Sequence, residues 1–357
     1  MKFKKIAALL LAAVMASSLA ACNSKDVGWI AKTSDGEEIP SGVYIAGMVN
    51  AYTAAESKVE DKEKKVLGQT VDGKPAEQWI AEESDKAFAR YVGVTEKAKA
   101  QGLSISPDEK SFLQQQVQYQ WQYLGPIYQQ NGVSLESLTK TLESSYKESM
   151  LFNAKYGKDG TDPIPDDTLL KEFQTNFYKT IYVTMSLTDE NAELKDEAGQ
   201  KLINDKANEI LAKATAEGAN YKDIILEYEK EQAASKGEDP ATVHTHDESS
   251  HVSFINKKSE SYKADFLAEV EAMKTGETKV LTSGNVIYIL QKLANDVPSD
   301  MEAHRNELMQ TLKGDEFKAE MEALAAETKI EYNPKAKKLY TPSKIKIDIK
   351  DSKASAK

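Results

Sequence analysis

Between Thr180 and Leu187 the chain reads Thr-Ile-Tyr-Val-Thr-Met-Ser-Leu, alternating β-branched and aromatic residues in the manner of a strand. Before it, after a short strand expected around Trp29-Ile30-Ala31 and a turn at Ser34-Asp35-Gly36, the chain from Pro40 on is patterned differently, with apolar residues recurring at three and four. That change of period at Tyr178 constrains the fold more than any other feature. The chain must first build helices that bury one stripe each. It must then build a small sheet with covering helices, because a lone hairpin is not stable in water. A long helical pattern returns after Pro298.

The helical part is well punctuated. Pro40-Ser41 opens a helix to about Lys65, with Tyr44, Ile45, Met48, Val49 and Tyr52 on one face. A second helix spans Ala76 to Gly102 and carries Trp79, Ile80, Phe88, Tyr91 and Val92. Ser106-Pro107-Asp108-Glu109 is a strong start signal, with a capping serine, a first-turn proline and two acids. The helix it opens carries Phe112, Leu113, Val117 and Trp121 and is expected to stop near Gly125-Pro126. Ser134 opens another, with Leu138, Leu142, Tyr146 and Leu151, and Asp166 to Phe177 forms a short last one.

The second part reads β-α-α-β-α-β-β. Its elements are the Thr180–Leu187 strand, helices at 197–217 and 221–232, a polar loop at 236–250, a strand at Val252–Ile255, a helix at Phe266–Met273, and strands at 279–281 and 286–293. The returning helix covers Asp300 to Thr328, with Leu308, Leu312, Phe317, Met321 and Leu324 inward and His304 as an exposed helix residue. The fold class is therefore α+β. The expected divisions are 28–177 with 298–333 as a discontinuous helical domain, 178–297 as the inserted domain, and 334–357 as a disordered basic tail.

The first residues bear on the compartment. Lys2, Lys4 and Lys5 precede an apolar run from Ile6 to Met15, too short to span a bilayer, which takes about 20 residues. Then comes Leu19-Ala20-Ala21-Cys22, which resembles a bacterial lipobox, in which the cysteine receives lipid and becomes the new N-terminus. The alternative is an ordinary export signal with an incidental cysteine. On the lipobox reading residues 1–21 are a signal peptide, Cys22 is the lipid attachment point and 22–27 is a tether. The protein then sits on the extracytoplasmic face of a bacterial cell membrane. A single cysteine excludes an internal disulfide framework and a cysteine-rich zinc site. The net charge of -11 argues against nucleic acid as a partner, since a phosphate backbone needs a concentrated basic field. Loss of the three leader lysines makes the remainder more acidic still.

In order and spacing the chain resembles the extracytoplasmic foldase lipoproteins of the PrsA type. These carry a parvulin peptidyl-prolyl isomerase domain inside a helical domain related to SurA-like chaperones. The local likeness lies in Gly132-Val133-Ser134-Leu135-Glu136, in Ile164-Pro165-Asp166-Asp167, and in Ala207 to Tyr228. It continues in Asp265-Phe266 through Gly276-Glu277 and in Tyr288-Ile289-Leu290-Gln291-Lys292-Leu293. The resemblance implies unfolded or newly exported polypeptides as partners, and no cofactor. It also implies a histidine in the first strand and another in the last. Here Thr184 or Met185 stands in the first place and Tyr288 in the second, and the family's glycine-rich turn is reduced to His251-Val252-Ser253-Phe254. Phe254 and Phe266 match pocket aromatics, and Tyr262 takes the place of a family Met or Leu. The polar centre of the site is thus degenerate, although the same aromatics also suit plain core packing.

Prolyl isomerisation must overcome a barrier of about 18–20 kcal/mol from amide resonance. An apolar cradle with polar groups that favour the twisted amide lowers it. Thr184 and Tyr288 are the candidates for those polar groups, with Phe254, Tyr262 and Phe266 as walls. Two other features stand out. Three of the four histidines, His244, His246 and His251, flank Asp247 and Glu248, a tract that could bind zinc or could be a solvated loop. The stretch Phe112 to Tyr128 interleaves Tyr119, Trp121, Tyr123 and Tyr128 with glutamines, which suits adaptable contact with unfolded chains as well as a helix core. The competing functional reading is a lipid-anchored solute- or metal-binding protein, which would need a hinged two-lobed α/β sheet.

Overall fold

The computed structural model describes residues 28–243, 251–295 and 298–347. The described chain divides into two compact units, one holding the residues up to Pro163 and from Lys313 on, the other Ile164–Leu312. The second division falls inside a helix. These borders lie outside the expected 178–297, because the short helix before the sheet and the turns that follow Pro298 pack with the sheet-bearing unit.

The first unit begins with two paired strands, β1 (Trp29–Lys32) and β2 (Glu38–Pro40). Helix α1 (Ser41–Lys58) follows, then a small hairpin of β3 (Thr70–Val71) and β4 (Lys74–Pro75). Helices α2 (Ala76–Ala100), α3 (Pro107–Gln130) and α4 (Leu135–Tyr156) complete its first part. The Ser106 hydroxyl accepts from the Glu109 amide while the Glu109 carboxylate accepts from the Ser106 amide, a reciprocal capping box. Ser134 caps α4 through the Ser137 amide at 3.1 Å.

Helix α3 does not stop at Pro126; it continues to Gln130. An interior proline costs about 3 kcal/mol or more. The turn beyond it buries Tyr128 fully, stacks it 6.3 Å from Trp121, and satisfies its hydroxyl through Gln120 at 3.3 Å. That packing overrides the local break.

The second unit opens with α5 (Asp166–Asn176) and the long strand β5 (Phe177–Ser186). It continues through α6 (Glu197–Ala214), α7 (Tyr221–Ser235), β6 (Val252–Asn256), α8 (Ala264–Ala272), β7 (Thr278–Ser283) and β8 (Val286–Lys292). The sheet is antiparallel throughout, in the order β6-β5-β8-β7. Period-two alternation gives it two apolar faces. On one, Ile181, Met185, Ile287 and Ile289 pack with Ala207, Ile210, Tyr221 and Ile225 of α6 and α7. On the other, Tyr178, Ile255, Leu281 and Leu290 pack with Phe266 and Val270 of α8.

The returning segment is two helices, α9 (Pro298–Ala303) and α10 (Arg305–Glu327), broken at His304. His304 is not an exposed helix residue. Its ring lies 5.2 Å from Phe173, 5.2 Å from Phe177 and 4.6 Å from Phe254. Beside it the Lys179 ammonium meets Asp300 at 2.5 Å with both side chains mostly buried. The later turns of α10 belong to the first unit. There Phe317 packs edge-on to Phe152, and Glu320 bridges Lys97 and Lys155 at 2.7 Å each. A Cβ on Gly93 of α2 would lie 2.6 Å from the Thr328 hydroxyl and 3.1 Å from the Leu324 side chain of α10, so a larger residue there would force those side chains to shift.

The expectation of a disordered tail from 334 is corrected as far as Ile347. Helix α11 (Pro334–Leu339) buries Ala336 completely, and Asn333 bonds back to the carbonyls of Trp29 and Ile30. Tyr340 and Ile345 pack against the α1–α2 core. Lys337 lies over the rings of Tyr44 and Tyr332 and pairs with Asp85. These partners lie far away in sequence, which is why the lysine-rich composition misleads. No helix among the described residues is long and apolar enough to cross a membrane.

Candidate functional site

The antiparallel register places Thr184 of β5 directly opposite Tyr288 of β8. The two therefore share one face, the face covered by α8. Thr184 is exposed and Tyr288 half-buried. Met185, the neighbouring candidate for the first-strand position, is buried on the other face against α6 and α7. Thr184, rather than Met185, stands on the Tyr288 face.

The aromatic group around Tyr288 is tight. Its ring lies 4.8 Å from Phe266, 6.1 Å from Tyr262 and 5.3 Å, edge-on, from Tyr182. Tyr262 stacks on Phe266 at 5.2 Å with the planes 11° apart. Helix α8 supplies this wall because Phe266 in its first turn is fully buried against the sheet. Its C-terminal carbonyls are held by Lys292 of β8, whose ammonium donates to Val270, Glu271 and Met273 at 2.9 Å each.

Tyr182 is the member that sequence reasoning missed. It lies two residues before Thr184 and so faces the same way, a signal that strand alternation carries once the register is known. Its hydroxyl accepts from the Ser253 hydroxyl at 3.4 Å. Burial pushes the Tyr262 phenol well above the ordinary tyrosine range, and Tyr182 beside it adds to the effect by charge and hydrogen bonding. Tyr288 is raised for the same two reasons, burial first and then Tyr182. Both phenols are protonated at neutral pH, so each hydroxyl has a proton it can donate. The centre is thus a cluster of phenols on an apolar wall.

Phe254 does not join it. In register with Lys179, it points to the opposite face, where it packs 5.5 Å from Phe173 and against His304. Assigning it to the pocket is therefore corrected: its odd place along β6 turns it toward α5 and α9. Of the histidine tract, His244 and His246 lie outside the described residues. His251 has a left-handed backbone, φ 61°, and its Nε2 lies 3.2 Å from Glu229. No group of three potential metal ligands occurs among the described residues. Cys22 also lies outside them.

A second candidate surface lies in the first unit. Tyr119 and Tyr123, one turn apart on α3, have rings 4.9 Å apart and are 64% and 59% exposed. With Gln116, Gln120, Leu124 and Leu142 they line a groove of about 470 Å³. Phe112 is exposed on the same helix. The four aromatics named from sequence thus divide. Tyr119 and Tyr123 face solvent, while Trp121 and Tyr128 serve the core shared with α1 and α4.

A comparison against protein-family models finds no match, and none of the curated proteins matches the sequence. Among solved structures the chain is similar to the foldase protein PrsA of Streptococcus pneumoniae, at 14% identity and a TM-score of 0.35, over 78% of this chain and 98% of that one. PrsA of Bacillus subtilis gives 14% identity and a TM-score of 0.32, over 77% and 94%. The foldase protein PrsA of Lactococcus lactis gives 14% and 0.35, over 87% and 96%.

Proposed function

We propose that this chain is a lipid-anchored extracytoplasmic chaperone that holds newly exported, unfolded polypeptides, with slow or absent peptidyl-prolyl isomerisation. The observation that carries the reading is the exposed tyrosine–glutamine face of α3. A folded domain gains nothing by leaving two tyrosines in contact with each other and a phenylalanine in water along one helix. Aromatic rings offer contact area at low entropy cost, and carboxamides bond to whatever backbone passes. Such a surface fits many unfolded chains and no single shape.

The Tyr182–Tyr262–Phe266–Tyr288 cluster would be the remnant of a proline site. Its apolar wall suits a pyrrolidine ring, and its phenols can donate to an amide. It offers no imidazole, so the polar assistance implied by the family resemblance is altered. Losing about 3 kcal/mol of transition-state stabilisation would slow turnover more than a hundredfold, since each 1.4 kcal/mol is a factor of ten. Apolar binding would fall less. The solute- or metal-binding alternative asks for a hinged two-lobed α/β sheet, whereas the four-stranded sheet described here is antiparallel.

The test measures two activities of the mature chain together. Aggregation of a chemically unfolded client should be suppressed at near-stoichiometric ratios, while protease-coupled turnover of a prolyl peptide stays close to the thermal rate. Failure to suppress aggregation of any client would remove the chaperone reading. Fast isomerisation would overturn the view of the tyrosine centre as degenerate.

A further inference from the structure

We infer that the α3–α4 turn carries a docking site for an extended polypeptide backbone, and that the chain's own segment Ile345–Ile347 occupies it in cis. The Asn131 carboxamide faces one peptide unit of that segment. Its Nδ2 donates to the Lys346 carbonyl at 2.7 Å and its Oδ1 accepts from the Lys346 amide at 2.9 Å. Gln130 Nε2 donates to the same carbonyl at 2.9 Å. The Asn131 side chain is itself held by a bond to the Ile127 carbonyl at 2.7 Å. These contacts read the main chain and ignore side-chain identity.

The flanking residues supply the apolar part. Ile345 has extended backbone, φ -71° and ψ 135°. Ile345 and Ile347 are half-buried against the cluster of Ile45, Val117, Tyr128, Val133 and Leu138, while Lys346 between them is exposed. Apolar side chains at i and i+2, with the intervening peptide bonded edge-on, are how an added strand is recognised. The segment behaves as a ligand on a leash. Its upstream anchors, Asn333 and Ala336, have contacts of their own: Asn333 bonds to the Trp29 carbonyl and Ala336 is fully buried.

The site has a direct relation to the groove. Leu142 packs against this same cluster and also lines the groove beside Tyr119 and Tyr123. An unfolded segment of pattern apolar-X-apolar lying along α3 would compete with Ile345–Ile347 for Asn131. The tail then acts as an internal competitor that sets a threshold for client binding. This identification of the competitor rests on the chaperone reading; the cis site does not.

The test adds a dye-labelled peptide of sequence Thr341–Ile347 to the full mature chain, and to the same chain carrying Ile345→Asp and Ile347→Asp. The released variant should bind the peptide at least about tenfold more tightly than wild type, and adding Asn131→Ala should weaken that binding about tenfold or more, since it removes two hydrogen bonds. Equal binding by both chains, or binding indifferent to Asn131, would overturn the inference. Should the double variant not fold, hydrogen exchange at the Lys346 amide of wild type decides. Free peptide should accelerate it, and exchange unchanged up to the peptide's solubility limit refutes the site. Peptide binding without aggregation suppression would count against the chaperone reading alone. Suppression without peptide binding would count against this site alone.

Discussion

Replacing Tyr119 and Tyr123 together by serine should disable client holding while leaving the fold in place. A tyrosine side chain buries on the order of 150–250 Å² when fully covered. With 64% and 59% of these residues exposed, about 100 Å² on each remains available to a client. At about 25 cal/mol per Å², complete coverage of both would be worth about 5 kcal/mol. An adaptable partner covers roughly half of that, and ordering it costs part of the gain. The expected loss is about 2–3 kcal/mol, or some 30- to 150-fold in affinity.

Stability should change far less. Both rings lie outside the core, and tyrosine and serine have similar helix propensity. What is lost is the 4.9 Å ring pair, worth about 0.5–1.5 kcal/mol and at the low end when exposed. The assay is light scattering from an unfolding client over a range of chaperone ratios, with thermal unfolding run in parallel. Leu202, 70% exposed on α6, is the control, because it lies on a different helix from the α3 aromatics, and Leu202→Ser should leave aggregation suppression unchanged. A folded double variant that suppresses aggregation as well as wild type would refute the role assigned to α3.

Four further outcomes are expected. Lys155 and then Lys97 hold the Glu320 carboxyl below its usual range. A depressed carboxylate contributes stability that is present above the unfolded value, about 4.3, and is lost as pH falls through the lower folded value. Glu320→Gln should therefore lower stability by up to about 1 kcal/mol at pH 7, solvent screening keeping the effect small, and flatten the acid limb of a denaturation profile, and an unchanged limb would contradict the bridge. Phe266→Ala should destabilise the sheet-bearing unit by about 3–5 kcal/mol, so Tyr288→Phe is the cleaner probe of the phenol centre. It should weaken proline-peptide binding by roughly fivefold, and unaltered binding by titration calorimetry would exclude the hydroxyl from recognition. Cys22→Ala should abolish metabolic labelling by fatty acid, and equal labelling of both chains would exclude Cys22 as the lipid site.

The helical framework was legible because its signals are local. Ser106 with Glu109, and Ser134 before Leu135, mark helix starts through bonds made within one turn. Pro126 was misread because a local penalty was outweighed by burial of Tyr128, which no window around the proline reveals. The sheet shows the same division. Alternation located β5 and β8, yet a one-residue uncertainty in register exchanges the faces. It leaves Thr184 and Met185 undecided and hides Tyr182, while Phe254, named through the family resemblance, stands opposite Lys179 and so on the other face from Tyr178. His304 and the Pro334–Ile347 segment were misjudged because their partners lie far off in sequence.

The two candidate surfaces follow one physical logic. On the proposed reading, a holder that releases its client by equilibrium needs contacts that are individually weak and easily exchanged. Rings on an exposed helix face and carboxamides that read only the backbone meet that requirement, whereas a deep specific pocket would trap one sequence. In the proposed setting, affinity that the surface forgoes is recovered by location, because a tether raises the local concentration of holder where chains emerge. The acidic charge of the chain fits the same proposed arrangement, since on a tether it would hold the body off an anionic leaflet. The cis-bound Ile345–Ile347 segment adds a threshold. On that proposal, only a client with enough adjacent apolar residues to outcompete a leashed peptide would engage the site, and short or already folded segments would be passed over.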